Sequence, residues 1–167
     1  VLRRNHYNGY PHVGREPDDH GARQDCQSAS QAGTRHVCRC AGQFRHATGI
    51  AVDAQGNIFV ADYQNKRVQK FNSAGEFITQ WRMGADITVA GVPEAIGVDA
   101  QGRVYVTDYD FGRMQVFTND GEFLWALSGE KIMDMPLKRP VGVAFDGNGH
   151  ILIVNQSGNS VQAFKLP

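Results

Sequence analysis

Four side chains near the start of the chain, Cys26, His36, Cys38 and Cys40, are of the types that grip zinc. Structural zinc modules bring their cysteines in closely spaced pairs. Here one Cys-x-Cys and one distant cysteine stand instead, so the spacing specifies no metal site. Beyond residue 40 the histidines are His46 and His150. A metal-assisted or acid–base enzyme needs converging ligands or a nucleophile beside a base, and no such pairing is visible, so no catalytic residue is assigned. Asp86, Glu94, Asp110, Glu130 and Asp134 are oxygen donors of the kind calcium takes. They leave a calcium-type site open without a pattern that requires one. Two further pairs draw notice, Asp62 with Arg67 and Asp108 with Arg113. Each sets an acid five residues before a base, at the same place in two similar phrases.

Those phrases are DAQGNIFVADYQNKRVQKF at 53–71 and DAQGRVYVTDYDFGRMQVF at 99–117. A third, looser version runs from Asp146 through Gly-Asn-Gly to Asn155. The spacing is 46 residues from Asp53 to Asp99 and 47 from Asp99 to Asp146. A period of that length marks a repeat architecture. Within the first unit the pattern predicts strand a at Gly49–Asp53, a turn at Ala54-Gln55-Gly56-Asn57, strand b at Ile58–Ala61, strand c at Arg67–Phe71 and strand d at Glu76–Trp81. Gly56 would supply the positive φ of the turn. Strand b is a nearly continuous apolar run, as in a sheet covered on both faces. Strand c alternates polar with apolar. No helical period appears. Four-stranded antiparallel units of this length are the signature of a β-propeller.

The phrase from Gly49 to Phe71 closely resembles the NHL repeat, a propeller blade found six to a ring. The likeness is strong in the first two units, looser in the third, and covers about residues 42–167. The expected fold is therefore all-β. It has about three blades of four antiparallel strands, near 42–87, 88–134 and 135–167, forming an incomplete ring. The third unit stops after strand c, so the missing part of the ring is expected to come from further blades or from self-association.

Residues 1–41 read differently. The first 40 contain no Lys, Ile, Phe, Met or Trp, and six arginines against four acids. Such a segment buries little apolar surface and is expected to be disordered, or to be a wrong-frame translation. The whole chain has 17 basic and 17 acidic residues, which gives no bias toward nucleic acid or anionic membrane. Residues 41–167 hold 11 basic and 13 acidic residues, an argument against an RNA-binding rim in this part. The longest apolar runs, such as Ile151-Leu152-Ile153-Val154, are too short to span a bilayer.

Comparing the units separates architecture from function. In the third unit Asn155 and Ser160 replace the acid and the base together. Losing one alone would strand a charge, so Asp62–Arg67 and Asp108–Arg113 read as staples within a blade. Gln69, Gln115 and Gln162 recur in every unit and read as structural. The loops between strands b and c differ, and function is expected where loops differ. Tyr63, Asn65, Lys66, Tyr109, Asp110 and Phe111 are the candidates for a binding rim. The resemblance implies a binding or scaffold module whose rim takes a protein or peptide, less readily a small molecule or RNA, and no cofactor. The alternative it implies is a share of a propeller enzyme, a metal-dependent lyase or lactonase, with most catalytic residues elsewhere.

Overall fold

The computed structural model describes residues 41–84, 91–128 and 137–165. The described residues form eleven strands: β1 (Ala47–Val52), β2 (Ile58–Asp62), β3 (Arg67–Phe71), β4 (Phe77–Arg82), β5 (Pro93–Val98), β6 (Val104–Asp108), β7 (Arg113–Phe117), β8 (Phe123–Ser128), β9 (Pro140–Phe145), β10 (His150–Asn155) and β11 (Ser160–Lys165). They make two four-stranded sheets and one three-stranded sheet, each a simple antiparallel meander in chain order. These are three blades of a β-propeller, open at both ends. No helix among the described residues is long and apolar enough to cross a membrane. The cysteine and His36 set lies outside the described residues, as do Asp86, Glu130 and Asp134.

The repeated Asp-x-x-Gly builds the a–b turn. Asp53 Oδ1 accepts from the backbone N–H of Gln55 at 2.9 Å and of Asn57 at 2.8 Å. Asp99 and Asp146 do the same two and four residues on. The side chain thus takes the role of a backbone acceptor in a tight turn. Gly56, at φ 84°, supplies the left-handed residue that closes it.

Successive blades stack face to face, with the first strands β1, β5 and β9 side by side. Gly49 is required there: a Cβ would come within 2.7 Å of the Glu94 carbonyl oxygen. Thr48 fastens the same seam, its hydroxyl donating to that oxygen at 2.8 Å. Phe59, Ala61 and Val68 of blade 1 meet Ile96, Val104, Val106 and Phe117 of blade 2. Tyr105, Met114 and Val116 of blade 2 then meet Ile151 and Ile153 of blade 3. A large apolar side chain fully buried in such a seam contributes about 1.5–3 kcal/mol.

The strands end within a residue or two of the expected places, and β3 matches at both ends. Its alternating pattern, however, does not give alternating burial: all five residues are buried. Arg67 and Gln69 are buried by their bonds to Asp62 and the Gln43 carbonyl, and Lys70 by the neighbouring blade. Its ammonium reaches into the next blade, donating to Asn119 Oδ1 and to Asp120 Oδ1, the latter at 3.1 Å. Its charge lies 5.8 Å from the centre of the Phe59 ring. A lysine at a polar position is therefore part of the seam.

Candidate functional site

The two staples have the same geometry. Arg67 Nε donates to Asp62 Oδ2 at 2.8 Å, and Arg113 Nε to Asp108 Oδ2 at 2.7 Å. All four residues are buried. The remaining carboxylate oxygen holds the incoming link: Asp62 Oδ1 accepts from the Arg45 N–H and Asp108 Oδ1 from the Val92 N–H. Arg67 also donates to the Gln43 carbonyl and to Gln80 Oε1. Gln69 Nε2 donates to the Gln43 carbonyl, and its Oε1 accepts from the Gly42 N–H. Each staple thus ties the chain entering a blade to that blade's second and third strands.

In blade 3 the same work is done by amides. Asn155 Oδ1 accepts from the Lys138 N–H at 3.0 Å, and Asn155 Nδ2 donates to Gln162 Oε1 at 3.0 Å. An amide nitrogen now stands where the carboxylate had an acceptor. Gln162 therefore turns its oxygen to Asn155, where Gln69 turns its nitrogen to Asp62.

This tie places two chain segments side by side at one end of each blade. The Tyr63 N–H donates to the His46 carbonyl, the Tyr109 N–H to the Val92 carbonyl and the Gln156 N–H to the Arg139 carbonyl. The residue just before a blade's first strand therefore sits beside the first residue of its b–c loop. His46 and Arg139 occupy the same place in blades 1 and 3, and both are left-handed, at φ 58° and 50°. Strain of this kind in non-glycine residues costs of order 1 kcal/mol and collects where surroundings demand it.

The rim built this way joins all three blades. The His46 ring lies edge-on to Tyr63, centroids 5.3 Å apart. The Arg139 guanidinium stands 5.4 Å over the Tyr109 ring, and the Tyr109 hydroxyl donates to Gln156 Oε1 at 2.9 Å. Burial holds the Tyr63 phenol above its ordinary range, helped by the negative charges of Asp110 and Glu94. Burial also raises the Glu94 carboxyl, which His46 partly offsets. The rim thus offers two aromatic faces, a guanidinium, an imidazole and two carboxylates.

Of the expected rim residues, Tyr63, Tyr109, Asp110 and Phe111 are brought to this end. Phe111 is exposed and packs on the buried Arg113 guanidinium at 5.0 Å. Lys66 is exposed too, at the close of its loop with φ 55°. Asn65 is a correction. It is buried at 7 % exposure and donates to Asp62 Oδ2 at 2.8 Å, so it belongs to the staple. A short polar side chain three residues after an acid can turn back on it, and here the loop is tight enough that it does. Sequence reasoning missed His46, Glu94, Arg139 and Gln156 as companions of the tyrosines. The signal was present: extending the repeat period backward puts His46 and Arg139 at one position. His150 lies at the other end of its blade, its Nδ1 2.7 Å from Asp146 Oδ2. Among the described residues no three His, Cys, Asp or Glu side chains gather as a metal site.

Three stacked antiparallel blades and a rim of b–c loops define the propeller class. The NHL repeat model matches residues 44–71, the first strands of blade 1. No curated protein sequence matches the chain. Among solved structures it is similar to a gluconolactonase from Xanthomonas campestris, with TM-score 0.55, 18% identity, and coverage of 75% of this chain and 39% of that one. It is similar to virginiamycin B lyase from Staphylococcus aureus, with TM-score 0.55, 17% identity, and coverage of 72% and 41%. A luciferin-regenerating enzyme gives TM-score 0.52 and 17% identity, covering 70% and 39%. The chain spans about two fifths of the length of these structures. At such identity the likeness shows the propeller fold.

Proposed function

We propose that this chain is a binding module whose b–c rim takes a protein or peptide partner. One observation carries the reading: the acids, arginines and glutamines that tie each blade are buried in staples, while the b–c loops and entering links, which vary around the tyrosine shared by blades 1 and 2, meet at the rim. Tyr63 and Tyr109 stand at one register in adjacent blades, with His46, Glu94, Asp110 and Arg139 around them. Tyrosine and arginine are the side chains that dominate protein recognition, because each combines apolar area with a polar end. No cofactor enters this reading. A small molecule with aromatic and charged groups is a lesser fit, and RNA a poorer one because two acids share the rim with one arginine.

The test is selection of binders from a random peptide library, followed by titration against rim variants. The double change Tyr63→Ala with Tyr109→Ala should weaken a selected peptide at least about tenfold, the scale of an interface anchor. Gln55→Ala with Asn148→Ala, at the a–b turns, should leave affinity unchanged. Equal loss from both pairs would sink the reading.

A second reading draws on Glu94, whose raised carboxyl lies within electrostatic reach of His46 across the seam between blades 1 and 2. That carboxyl would be this chain's share of a propeller enzyme of lyase or lactonase type, with most catalytic residues elsewhere. Under that reading Glu94→Gln removes turnover in the larger protein while peptide binding survives.

A further inference from the structure

The rim repeats one arrangement at both seams, with its charge reversed. The residues paired with the first b–c loop position are His46, Val92 and Arg139 in blades 1, 2 and 3. At the seam between blades 2 and 3 the tyrosine is Tyr109, and Arg139 of the following blade stands over its ring at 5.4 Å. Val141, two residues after Arg139, and Ser157, second in the blade 3 loop, are uncharged. At the seam between blades 1 and 2 the tyrosine is Tyr63, and all three places change together. Val92 stands at the register of Arg139, Glu94 at that of Val141 and Asp110 at that of Ser157. One seam thus holds a cation and no acid at these places, the other two acids and no cation. Among the described residues the Glu94 carboxyl, the Asp110 carboxyl and the Tyr63 hydroxyl have no hydrogen-bond or ion-pair partner.

We propose that the slot over Tyr63 takes an arginine side chain of the partner, stacked on the ring as Arg139 is on Tyr109 and paired with Glu94 and Asp110. This rests on the reading of the rim as a peptide-binding surface, and it names the residue the peptide must supply. The backbone brings the acids to the ring. The Tyr63 N–H holds the His46 carbonyl, and Thr48, two residues on, donates to the Glu94 carbonyl. The Tyr109 N–H holds the Val92 carbonyl, which sets Asp110 beside the same link. Both negative charges act on the Tyr63 phenol more strongly than the positive charge of Arg139 does. A planar guanidinium suits this slot better than an ammonium. It stacks on an aromatic face and presents two donors side by side to a carboxylate. Burial disfavours the charge of Glu94, and a neighbouring cation offsets that.

The test is a titration of the chain with N-acetyl-arginine-N-methylamide, followed by amide chemical shifts, with the citrulline and lysine derivatives as controls. Citrulline keeps the shape and loses the charge, and lysine keeps the charge and loses the plane. Shifts should gather at Tyr63, Glu94 and Asp110. Binding should be at least about tenfold weaker for citrulline, and weaker for lysine than for arginine. Glu94→Gln with Asp110→Asn should remove the difference between arginine and citrulline. Equal binding of arginine and citrulline overturns the proposal, as do shifts that bypass Tyr63. Equal binding of arginine and lysine overturns it too, and leaves a slot that reads charge alone. The parent titration decides by itself, so misfolding of the variant does not shield the proposal. The peptide rim and the arginine slot fail separately. Library peptides that bind through Tyr63 and Tyr109 without an arginine overturn the slot and keep the rim. A library without binders removes the rim reading, and the arginine derivative still decides the slot.

Discussion

In blade 1 a buried carboxylate, Asp62, holds a buried guanidinium, Arg67, and that guanidinium holds two more acceptors, Gln43 and Gln80. In blade 3 the same positions carry Asn155 and Ser160, and an amide pair closes the loop without charge. Blade 2 stands between them. It keeps the ion pair, but Ala126 stands where blade 1 has Gln80, and Arg113 Nη2 finds no hydrogen-bond partner among the described residues. The three blades have one backbone plan and three electrostatic solutions. The plan depends on a side chain at the end of the second strand accepting from the incoming link, which Asp62, Asp108 and Asn155 all do. The charge is an elaboration of it.

The largest effect should come from breaking that charge in half. Arg67→Ala leaves Asp62 buried without its partner, and chemical denaturation should show a loss of about 3–5 kcal/mol. Importing the blade 3 solution, Asp62→Asn with Arg67→Ser, should cost only about 1–2 kcal/mol, because acceptors lose a donor but no charge is stranded. If the double variant is as unstable as the single, the amide and ion-pair solutions are not interchangeable. The reverse exchange is smaller. Asn155→Asp alone should cost about 2 kcal/mol by burying a lone carboxylate, and Ser160→Arg added to it should recover most of the loss.

The seams differ as the staples do. Between blades 1 and 2 a polar latch runs from Asp53 through Asn119 to Lys70, with Asn119 Nδ2 donating to Asp53 Oδ2 at 3.0 Å. In blade 2 Asp99 turns instead to its own blade, accepting from Tyr105 Oη at 2.9 Å and Arg103 Nε at 2.6 Å. Burial alone would raise the Asp53 carboxyl, but Asn119, Asn57 and the turn's N–H groups together bring it below its ordinary value. A depressed folded pKa gives stability that is present above the unfolded value and lost as pH falls through the folded one. Asn119→Ala should therefore cost about 1 kcal/mol at neutral pH, and the gap to the parent should narrow in acid. A gap that stays constant with pH would show that Asp53 takes no part.

The smallest effect concerns Glu94. Its carboxyl is raised by burial, so its charged form is disfavoured in the fold. The sign is opposite to that of Asp53. Glu94→Gln should raise the melting temperature slightly at neutral pH, and the gain should vanish as pH falls below the raised pKa.

Much of this was legible in residue types and spacing. The repeated Asp-x-x-Gly marked each a–b turn, because a carboxylate acceptor and a left-handed glycine have few other uses so close together. The joint loss of acid and base in the third unit pointed to contact between Asp62 and Arg67. Lys70 was not legible. Its partners lie 49 and 50 residues away in the next blade, and no local pattern reports a neighbour one full period on. Asn65 misled for the opposite reason: a polar loop residue reads as exposed unless the loop's curl onto Asp62 is known. The approach of Glu94 and Arg139 to the tyrosines was not legible either, because it depends on how the blades stack.

In the proposed reading the buried staples hold the blades, while the b–c loops and entering links hold the partner. Mapping amide chemical shifts on titration with a selected peptide tests it most directly. The expected changes gather at His46, Tyr63, Glu94, Tyr109, Asp110, Arg139 and Gln156. Changes centred instead on the a–b turns around Gln55, Gln101 and Asn148 would contradict it.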